Sequence, residues 1–324
     1  RAGHLVTVYE RDSRVGGLLR YGIPDFKLEK SIIDRRVEIL SLEGIKFKTN
    51  VEVGIDIPIK KLKKENDVVL LCGGATVMRS LPIPGHELSG VVQAMHFLKK
   101  QNQVISENFR EVDELNAKNK NVIVIGGGDT GSDCIVTSNR QGAKSVVNFE
   151  ILPKPSKERS DENPWPYWPF TLKTSSSHEE GSKRQWSILT KEFIDDGNGN
   201  VKALKTIEVE WIKKPNEKAK LVEIEGSEKV WPCDLVLLAL GFTGPDNQII
   251  HNLKLNADNF SKPLTKKYQT SDKKVFAAGD LRRGQSLIVW AISEGREAAY
   301  EIDKFLMGST KLSSKTHGDL PSVK

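Results

Sequence analysis

A β-branched strand that runs directly into a glycine-rich turn is the feature that most constrains the fold of this chain. Residues 121–125 read Asn-Val-Ile-Val-Ile, and Gly126, Gly128 and Gly131 follow in a Gly-x-Gly-x-x-Gly pattern. A second apolar strand, Ser145–Glu150, ends in a carboxylate 19 residues after Gly131. In a Rossmann unit these glycines let a pyrophosphate approach the backbone at a helix N-terminus, and the acid binds a ribose. The pattern therefore predicts a dinucleotide-binding domain; the alternative is a tight strand–helix turn without a ligand.

The carboxylate of Glu150 also bears on which dinucleotide is bound. It can accept hydrogen bonds from the ribose of an adenosine, and it would repel an additional 2′-phosphate. This favours NADH over NADPH. Lys154 and Arg159 lie close enough in sequence to offset the repulsion, so NADPH remains possible.

A second, incomplete signature stands at the start of the chain. The strand Leu5–Glu10 also ends in an acid, but only Arg1–His4 precede it. A Rossmann unit needs a strand and a glycine turn about 20 residues upstream of such an acid. We therefore expect a fragment of a longer protein with two nucleotide sites, in which Glu10 binds a second adenosine. The alternative is an exposed acid at the end of a strand.

Two further motifs, far apart in sequence, could close one site. Gly16 and Gly17 lie in a glycine-punctuated loop, and Gly279-Asp280 follows the apolar strand 274–278. An Asp between a strand and a helix is well placed to bind a ribitol hydroxyl. It could equally be a simple N-cap of that helix.

Hydrophobic periodicity and turn residues predict an α/β protein. Helices are expected over 28–42, 59–65, 91–101, 130–141 and 286–306, the third of them as a linker helix. Strands are expected over 45–49, 68–72, 186–193, 201–211 and 234–241, with a hairpin turn at 195–200. The Pro- and Ser-rich stretch 153–180 predicts a long excursion, and the tail 309–324 is expected to be disordered.

Composition excludes several classes of function. The net charge of +6 comes from lysines mixed with acids, which indicates a solvated surface rather than a nucleic-acid site. No apolar run reaches 18 residues, so no membrane span is expected. Cys72, Cys134 and Cys233 are too dispersed for a metal site, an iron–sulfur cluster or a disulfide reductase. Cys72 and Cys233 are expected to be small buried thiols in a cytoplasmic protein.

Neither a nucleophile–base cluster nor a metal-ligand cluster is evident in the sequence. This predicts chemistry carried by cofactors, with no catalytic side chain and hydride transfer to a flavin.

Several longer motifs together resemble the small (β) subunit of glutamate synthase. They are Val15–Lys30, Gly126–Cys134, Leu152–Pro155, Asn163–Pro169 and Ala277–Ala299. The similarity extends to about Gly308. The aromatic motif Asn163–Pro169 is similar to the branch that includes NADH-dependent enzymes, in agreement with Glu150.

The resemblance implies two nested Rossmann-like domains, as in glutathione reductase. An FAD domain would be split into residues 1–116 and 239–308, with an NAD(P)H domain, 117–238, inserted between them. By position, FAD would be lined by Glu10, Gly17, Leu18, Cys72, Gly73, Gly279, Asp280, Val289, Trp290 and Ala291. The nicotinamide dinucleotide would be lined by Gly126, Gly128, Asp129, Thr130, Gly131 and Glu150.

In that family, hydride passes from NAD(P)H to FAD. Electrons then travel through iron–sulfur clusters to the large (α) subunit, where glutamine and 2-oxoglutarate yield glutamate. The cysteine-rich segment and the FAD pyrophosphate loop are not in this sequence. This fragment is therefore expected to bind FAD poorly and to carry no cluster.

Two alternatives remain open. One is the electron-entry module of another complex, such as dihydropyrimidine dehydrogenase or a ferredoxin-linked transhydrogenase. The other is a nucleotide-binding regulatory or assembly module without turnover.

Overall fold

The chain folds into two compact units, each built from segments that are distant in sequence. The computed structural model describes residues 1–107, 115–159, 161, 171–172, 179–212 and 219–315. Unit 1 contains 1–15, 34–79 and the described residues from 241 onward, and unit 2 contains 16–33 and the described residues of 80–240. The predicted domain boundaries at 116 and 238 stay a prediction.

The helices and strands of both units are numbered in chain order. The helices are α1 (Gly17–Tyr21), α2 (Lys30–Leu42), α3 (Ile59–Glu65), α4 (Ala94–Glu107), α5 (Asp129–Arg140), α6 (Gln248–Asn252), α7 (Asp280–Arg283) and α8 (Ile288–Met307). The strands of the first half are β1 (Thr7–Tyr9), β2 (Lys46–Lys48), β3 (Val69–Leu71), β4 (Val77–Met78), β5 (Val91–Gln93), β6 (Asn121–Ile125) and β7 (Ser145–Phe149). Those of the second half are β8 (Lys183–Gln185), β9 (Ile188–Asp195), β10 (Val201–Ile212), β11 (Lys220–Glu223), β12 (Lys229–Pro232), β13 (Leu235–Leu238), β14 (Phe242–Gly244) and β15 (Val275–Ala277).

Unit 2 is organised around a parallel sheet with the strand order β5-β13-β6-β7-β8. A parallel sheet covered on both faces requires apolar side chains throughout each central strand. Residues 122–125 and 235–238 meet this requirement, since all of them are buried. The central pairing runs in register from Leu235 opposite Val122 to Leu238 opposite Ile125. The predicted Rossmann unit is therefore present, with β6 leading into α5.

The segment predicted as a linker helix over 91–101 is different in the structure. Val91 and Val92 are β-branched, and they pair in parallel with Val236 and Leu237 as the edge strand β5. The helix begins only at Ala94, and its Phe97 is completely buried in the core of unit 2. The linker prediction was wrong because this helix packs on the sheet.

The predicted hairpin over 186–211 is confirmed. Strands β9 and β10 pair antiparallel, and β10 also pairs with β11 and β12. In the turn, the Asp195 carboxylate accepts hydrogen bonds from the backbone N–H groups of Gly197 and Gly199, at 2.8 and 2.9 Å. The aromatic motif 163–169, which belongs to the predicted excursion before this hairpin, lies outside the described residues.

The described residues of unit 1 form three two-stranded sheets. Strands β1 and β2 are parallel, β3 and β15 are parallel, and β4 and β14 are antiparallel. Its core is formed by Leu71 and Val275 from β3 and β15 together with residues of α3 and α6. The parallel pairs bring the carboxyl ends of β3 and β15 to the same edge of their sheet.

Part of the stretch predicted to be disordered makes contacts in the structure, while the predicted disorder itself stays a prediction. The backbone N–H of Lys315 donates to Glu297 at 2.7 Å, and the Lys315 ammonium lies 4.9 Å from the centre of the Trp290 ring. Both partners lie on α8, so Lys315 packs against that helix. Residues 316–324 lie outside the described part of the chain. Among the described helices, none is both long and apolar enough to cross a bilayer.

Candidate dinucleotide sites

The glycine turn after β6 is shaped by contacts that leave no room for side chains. Gly126 has φ +112°, and a Cβ there would overlap the carbonyl oxygen of Ala239. A Cβ at Gly131 would overlap the carbonyl oxygen of Gly126. The N–H of Gly126 donates to the carbonyl of Phe149 at 2.8 Å, which joins the turn to β7. Glycine is therefore required at 126 and 131 by the backbone itself, whether or not a ligand is bound.

The next part of the turn is open. Nothing lies within 4 Å of the position that a Cβ would occupy at Gly128, and both Gly128 and Asp129 are exposed. Gly128 is the cap residue of α5, and Asp129 and Thr130 are the first two residues of that helix. The first turn of an α-helix carries N–H groups without intrahelical partners, and these are the groups that bind an anion at a helix N-terminus. The structure thus brings together Gly126, Gly128, Asp129, Thr130 and Gly131 as predicted.

Glu150 lies directly over this turn. A Cβ added to Gly127 would coincide with the Glu150 carboxylate. Glu150 follows β7, and its N–H donates to the carbonyl of Gln185 on β8 at 2.9 Å. Partial burial raises the pKa of Glu150, while the positive charge of Arg184 acts in the opposite direction. The carboxylate therefore has the position of an acid that binds an adenosine ribose.

Asn148 is a residue of this turn that the sequence reasoning missed. Its side chain is fully buried, and its amide donates to the carbonyls of Val124 and Gly126 at 3.1 and 3.0 Å. These bonds fix the end of β6 where the turn begins. An asparagine inside the apolar run Ser145–Phe149 was the signal that could have revealed it, because a buried amide requires partners.

A second cluster of predicted residues assembles in unit 1, at the carboxyl ends of β3 and β15. The N–H of Ala278 donates to the carbonyl of Leu71 at 3.0 Å, so Cys72-Gly73 and Gly279-Asp280 lie at one edge. A Cβ on Gly279 would lie 3.9 Å from the Ala291 Cβ. The turn after β15 therefore lies next to the first turn of α8, which contains Val289, Trp290 and Ala291.

The exposure of Cys72 differs from the prediction. It was predicted to be a buried thiol, but the residue is exposed, because β3 ends at Leu71 and Cys72 lies beyond the strand. It still lies deep enough among protein atoms that desolvation raises the pKa of its thiol, and the charge of Glu10 adds to this rise. Cys233 is buried as predicted, and all three cysteines, which lie in the described segments, are free.

Glu10 follows β1, as the sequence predicts. Its carboxylate accepts a hydrogen bond from the N–H of Asp12 at 3.0 Å. Its negative charge contributes to the raised pKa of Cys72. The acid is half-buried rather than a free strand-end charge.

Asp280 is not the N-cap of the helix that follows β15, as the simpler of the two interpretations proposed. The cap position of α7 is taken by Gly279, with φ +70°, and Asp280 is the first helical residue. The Ser286 hydroxyl donates to the Asp280 carboxylate at 3.0 Å. Burial raises the pKa of Asp280, although the bonds from Ser286 oppose the rise.

A buried carboxylate on α8, Glu294, fixes this turn from behind. It is 1% exposed, and it accepts hydrogen bonds from the Gly279 N–H at 2.9 Å and from the guanidinium groups of Arg282 and Arg283. Burial alone would raise the pKa of Glu294, but the bonds and charge of Arg282, with Arg283 and Gly279, hold it below the ordinary value. Sequence reasoning missed this residue, because the sequence does not distinguish it from the other acids of the predicted helix 286–306.

Gly17 and Leu18 were also predicted to line FAD, but they belong to unit 2. The glycine-rich loop is partly helical, as α1. Lys27 forms an ion pair with the largely buried Asp133 of α5. The Asn102 amide donates to the carbonyls of Tyr21 and Ile23, at 3.0 and 3.2 Å. Gly17 and Leu18 are therefore on a segment that is anchored to α4 and α5.

Both cofactors can be tested against these geometries. The open space at Gly128 and the carboxylate over Gly127 fit a nicotinamide dinucleotide. The start of α8 exposes an apolar surface beside Asp280, which fits a flavin. This surface consists of Leu287, Ile288, Val289 and Ile292. In the described part of the chain, no three His, Cys, Asp or Glu side chains converge to hold a metal ion.

The fold and the glycine turn define a Rossmann-type dinucleotide-binding protein, and known proteins show the same class. The family model "Pyridine nucleotide-disulphide oxidoreductase" matches residues 186–295. FprA, a Mycobacterium tuberculosis oxidoreductase, aligns with a TM-score of 0.74 and 16% identity, over 94% of this chain and 78% of its own. A thioredoxin reductase of T. acidophilum aligns with a TM-score of 0.61 and 17% identity, over 95% and 91%. The predicted α/β fold of Rossmann-like domains is confirmed.

The chain belongs to the family of glutamate synthase small chains. It is 47% identical to "Glutamate synthase [NADPH] small chain" of Mycobacterium tuberculosis, over 96% of this chain and 64% of that protein. It is also 47% identical to "Glutamate synthase [NADH]" of Schizosaccharomyces pombe, over 96% of this chain but 15% of that protein. At 36% identity it covers 72% of a Cereibacter sphaeroides protein that carries the small-chain name provisionally. The chain thus spans less than two thirds of the first two relatives.

Proposed function

We propose that this chain is the NAD(P)H-oxidising flavoprotein part of a glutamate synthase. It takes reducing equivalents from NAD(P)H onto FAD and passes them to the large (α) subunit, which forms glutamate from glutamine and 2-oxoglutarate. In this proposal, FAD is bound by residues 1–116 and 239–308, and the nicotinamide dinucleotide by 117–238. The absence of disulfides among the three cysteines supports a cytoplasmic location.

The observation that carries the proposal is the glycine turn with Glu150 over it. Gly128, the cap residue of α5, has open space where a Cβ would lie, and the Glu150 carboxylate directly follows the neighbouring strand β7. These are the two features that bind a pyrophosphate and a ribose in one ligand. Since a carboxylate repels a 2′-phosphate, Glu150 favours NADH.

Side chains of this chain bind and orient rather than react. When bound, FAD supplies the hydride-accepting ring, and the protein's part is to align it. Asp280 can hold a ribitol hydroxyl, because its carboxylate lies at the start of α7 and is oriented by Ser286. Glu294 keeps the Gly279 N–H and the two arginines in place behind that carboxylate.

The test uses the full-length protein that contains this chain, with its flavin. Anaerobic addition of NADH should bleach the flavin absorbance. Gly128→Glu should abolish nicotinamide binding through clash and charge while leaving bound flavin unchanged. Lys144→Glu, which changes charge at the opposite end of β7, serves as the matched control and should bind normally.

Asp280→Ala should give the reverse result, with weaker FAD retention and normal dinucleotide binding. Tight NADH binding without bleaching would instead support a nucleotide-binding assembly module. If Gly128→Glu leaves nicotinamide affinity unchanged, the proposed site is wrong.

A further inference from the structure

Arg184 is a charged side chain beside the proposed adenosine site that the sequence reasoning did not consider. It lies on β8, the edge strand next to β7, and pairs in register with Asn148, two residues before Glu150. A backbone hydrogen bond also connects the residues that follow this pair, because the Glu150 N–H donates to the Gln185 carbonyl at 2.9 Å. Arg184 is thus one residue away from the direct partner of the ribose-binding acid.

Charge couples the two side chains. Partial burial lowers the pKa of Arg184, and the Glu150 carboxylate raises it. In turn, the guanidinium opposes the burial that raises the pKa of Glu150. The two opposite charges therefore act on each other across neighbouring strands, beside the position proposed for the ribose of a bound dinucleotide.

An aromatic ring restricts the guanidinium further. The Arg184 guanidinium carbon lies 5.0 Å from the centre of the Trp186 ring, and the Lys154 ammonium also lies 5.0 Å from it. Contacts of this kind attract a cation to the ring and limit its conformations. The Arg184 residue is partly buried, whereas Lys154 is exposed. Arg184 is therefore the better ordered of the two cations.

We infer that the adenosine site accepts a 2′-phosphate as well as a 2′-hydroxyl, and that Arg184 is the residue that binds the phosphate. This inference rests on the proposed function of the glycine turn. With NADH, Glu150 accepts the ribose hydroxyls and Arg184 remains its counterion. With NADPH, the phosphate becomes the partner of Arg184, which offsets the repulsion from Glu150.

The chemistry favours Arg184 over Lys154 as the phosphate ligand. A guanidinium is planar and can donate two parallel hydrogen bonds to a phosphate, whereas an ammonium acts as a point charge. Lys154 lies on an exposed segment after β7, so ordering its long side chain would oppose binding. The sequence pointed to Lys154 and Arg159, and the structure assigns the role to a residue on the next strand.

The test measures binding by calorimetry to the full-length protein, with ADP-ribose and 2′-phospho-ADP-ribose as probes at fixed ionic strength. Neither probe requires flavin chemistry. Arg184→Gln should weaken 2′-phospho-ADP-ribose at least about tenfold, since a hydrogen bond between charged groups contributes about 1.5–3 kcal/mol. It should change ADP-ribose affinity by less than about twofold.

Two variants serve as controls. Arg184→Lys keeps the charge but loses the planar fork, and should lose about threefold toward the phosphorylated probe. Lys154→Gln should change either affinity by less than about threefold. Unchanged ADP-ribose binding shows that each variant is folded at this site.

Other outcomes overturn the inference. It fails if Arg184→Gln weakens both probes equally or neither, or if Lys154→Gln has the larger effect on the phosphorylated probe. It also fails, with the proposed function intact, if the unmodified protein binds ADP-ribose but not 2′-phospho-ADP-ribose. If the protein binds neither probe, the proposed function fails as well.

Discussion

The turn after β6 and the turn after β15 both join a buried strand to a helix, but different interactions hold them. In the β6 turn, Gly126 and Gly131 lie against carbonyl oxygens with no space for a methyl group. In the β15 turn, Gly279 has ordinary van der Waals space, and the buried Glu294 carboxylate fixes the backbone and two arginines. The first turn is therefore held by steric fit, which pH and salt hardly affect. The second is held by charge, which depends on both.

The largest effect is expected from a methyl group in the β6 turn. Gly126→Ala combines a positive φ with overlap onto the Ala239 carbonyl, and should destabilise unit 2 by about 4 kcal/mol. Thermal unfolding and ADP-ribose binding measure it. Gly128→Ala is the matched control, because that position is open and has φ −74°, and its stability should stay within about 0.5 kcal/mol of the wild type. Equal stability of the two variants would contradict a turn held by steric fit.

The next effect concerns the β15 turn. Glu294→Gln removes the negative charge shared by Arg282 and Arg283, and should destabilise unit 1 by about 3 kcal/mol, since breaking a buried ion pair leaves uncompensated charge. Glu301→Gln, on the same helix, should lie within about 0.5 kcal/mol of the wild type. Chemical unfolding monitored in both variants checks this. A similar small change in both would show that charge does not hold the turn.

Acid should affect the two turns in opposite senses. The pKa of Glu294 is held below 4.5, so its contribution to stability is complete above that pH and is lost as the pH falls through the lowered pKa. The pKa of Glu150 is raised by burial, so its ionised form opposes folding near neutrality and protonation relieves this. Glu150→Gln should therefore raise the melting temperature at pH 7, whereas Glu294→Gln should lower it. The Glu150 difference should shrink as the pH falls through its raised pKa toward 4.5, whereas the Glu294 difference should shrink only below pH 4.5. Shifts of the same sign at pH 7 would refute this contrast.

The smallest expected effect is a difference in alkylation rate between the exposed cysteine of unit 1 and the two buried cysteines of unit 2. Burial raises the pKa of Cys233 to about 12 and that of Cys134 well above its ordinary value. Cys72 is exposed, although its pKa is also raised. Alkylation at pH 9 followed by mass spectrometry should therefore label Cys72 first in flavin-free protein. Rapid labelling of Cys134 would show that unit 2 is less closely packed than the structure indicates.

The sequence predicted the β6 turn more completely than the β15 turn, for a physical reason. Steric requirements can be recognised from neighbouring residues in the sequence, because only glycine fits at 126 and 131 and an apolar strand directly precedes these positions. A buried ion cluster leaves little trace, since Glu294 is 15 residues from Gly279 and resembles a surface acid in the sequence. The same limit applies to Asn148, Arg184 and β5, whose roles depend on which strands become neighbours. Cys72 was misassigned because its strand ends one residue earlier than hydrophobicity indicates.

The ion pair between Lys27 and Asp133 has a practical consequence for protein engineering. It ties residues 16–33 to the helix that follows the glycine turn, although more than a hundred positions of sequence separate the two partners. A chimera that transplants unit 2 into another protein should therefore include 16–33 as part of the graft. Cutting at the start of β5 instead would remove Lys27 and leave the Asp133 carboxylate, whose side chain is 10% exposed in the intact chain, without this counterion.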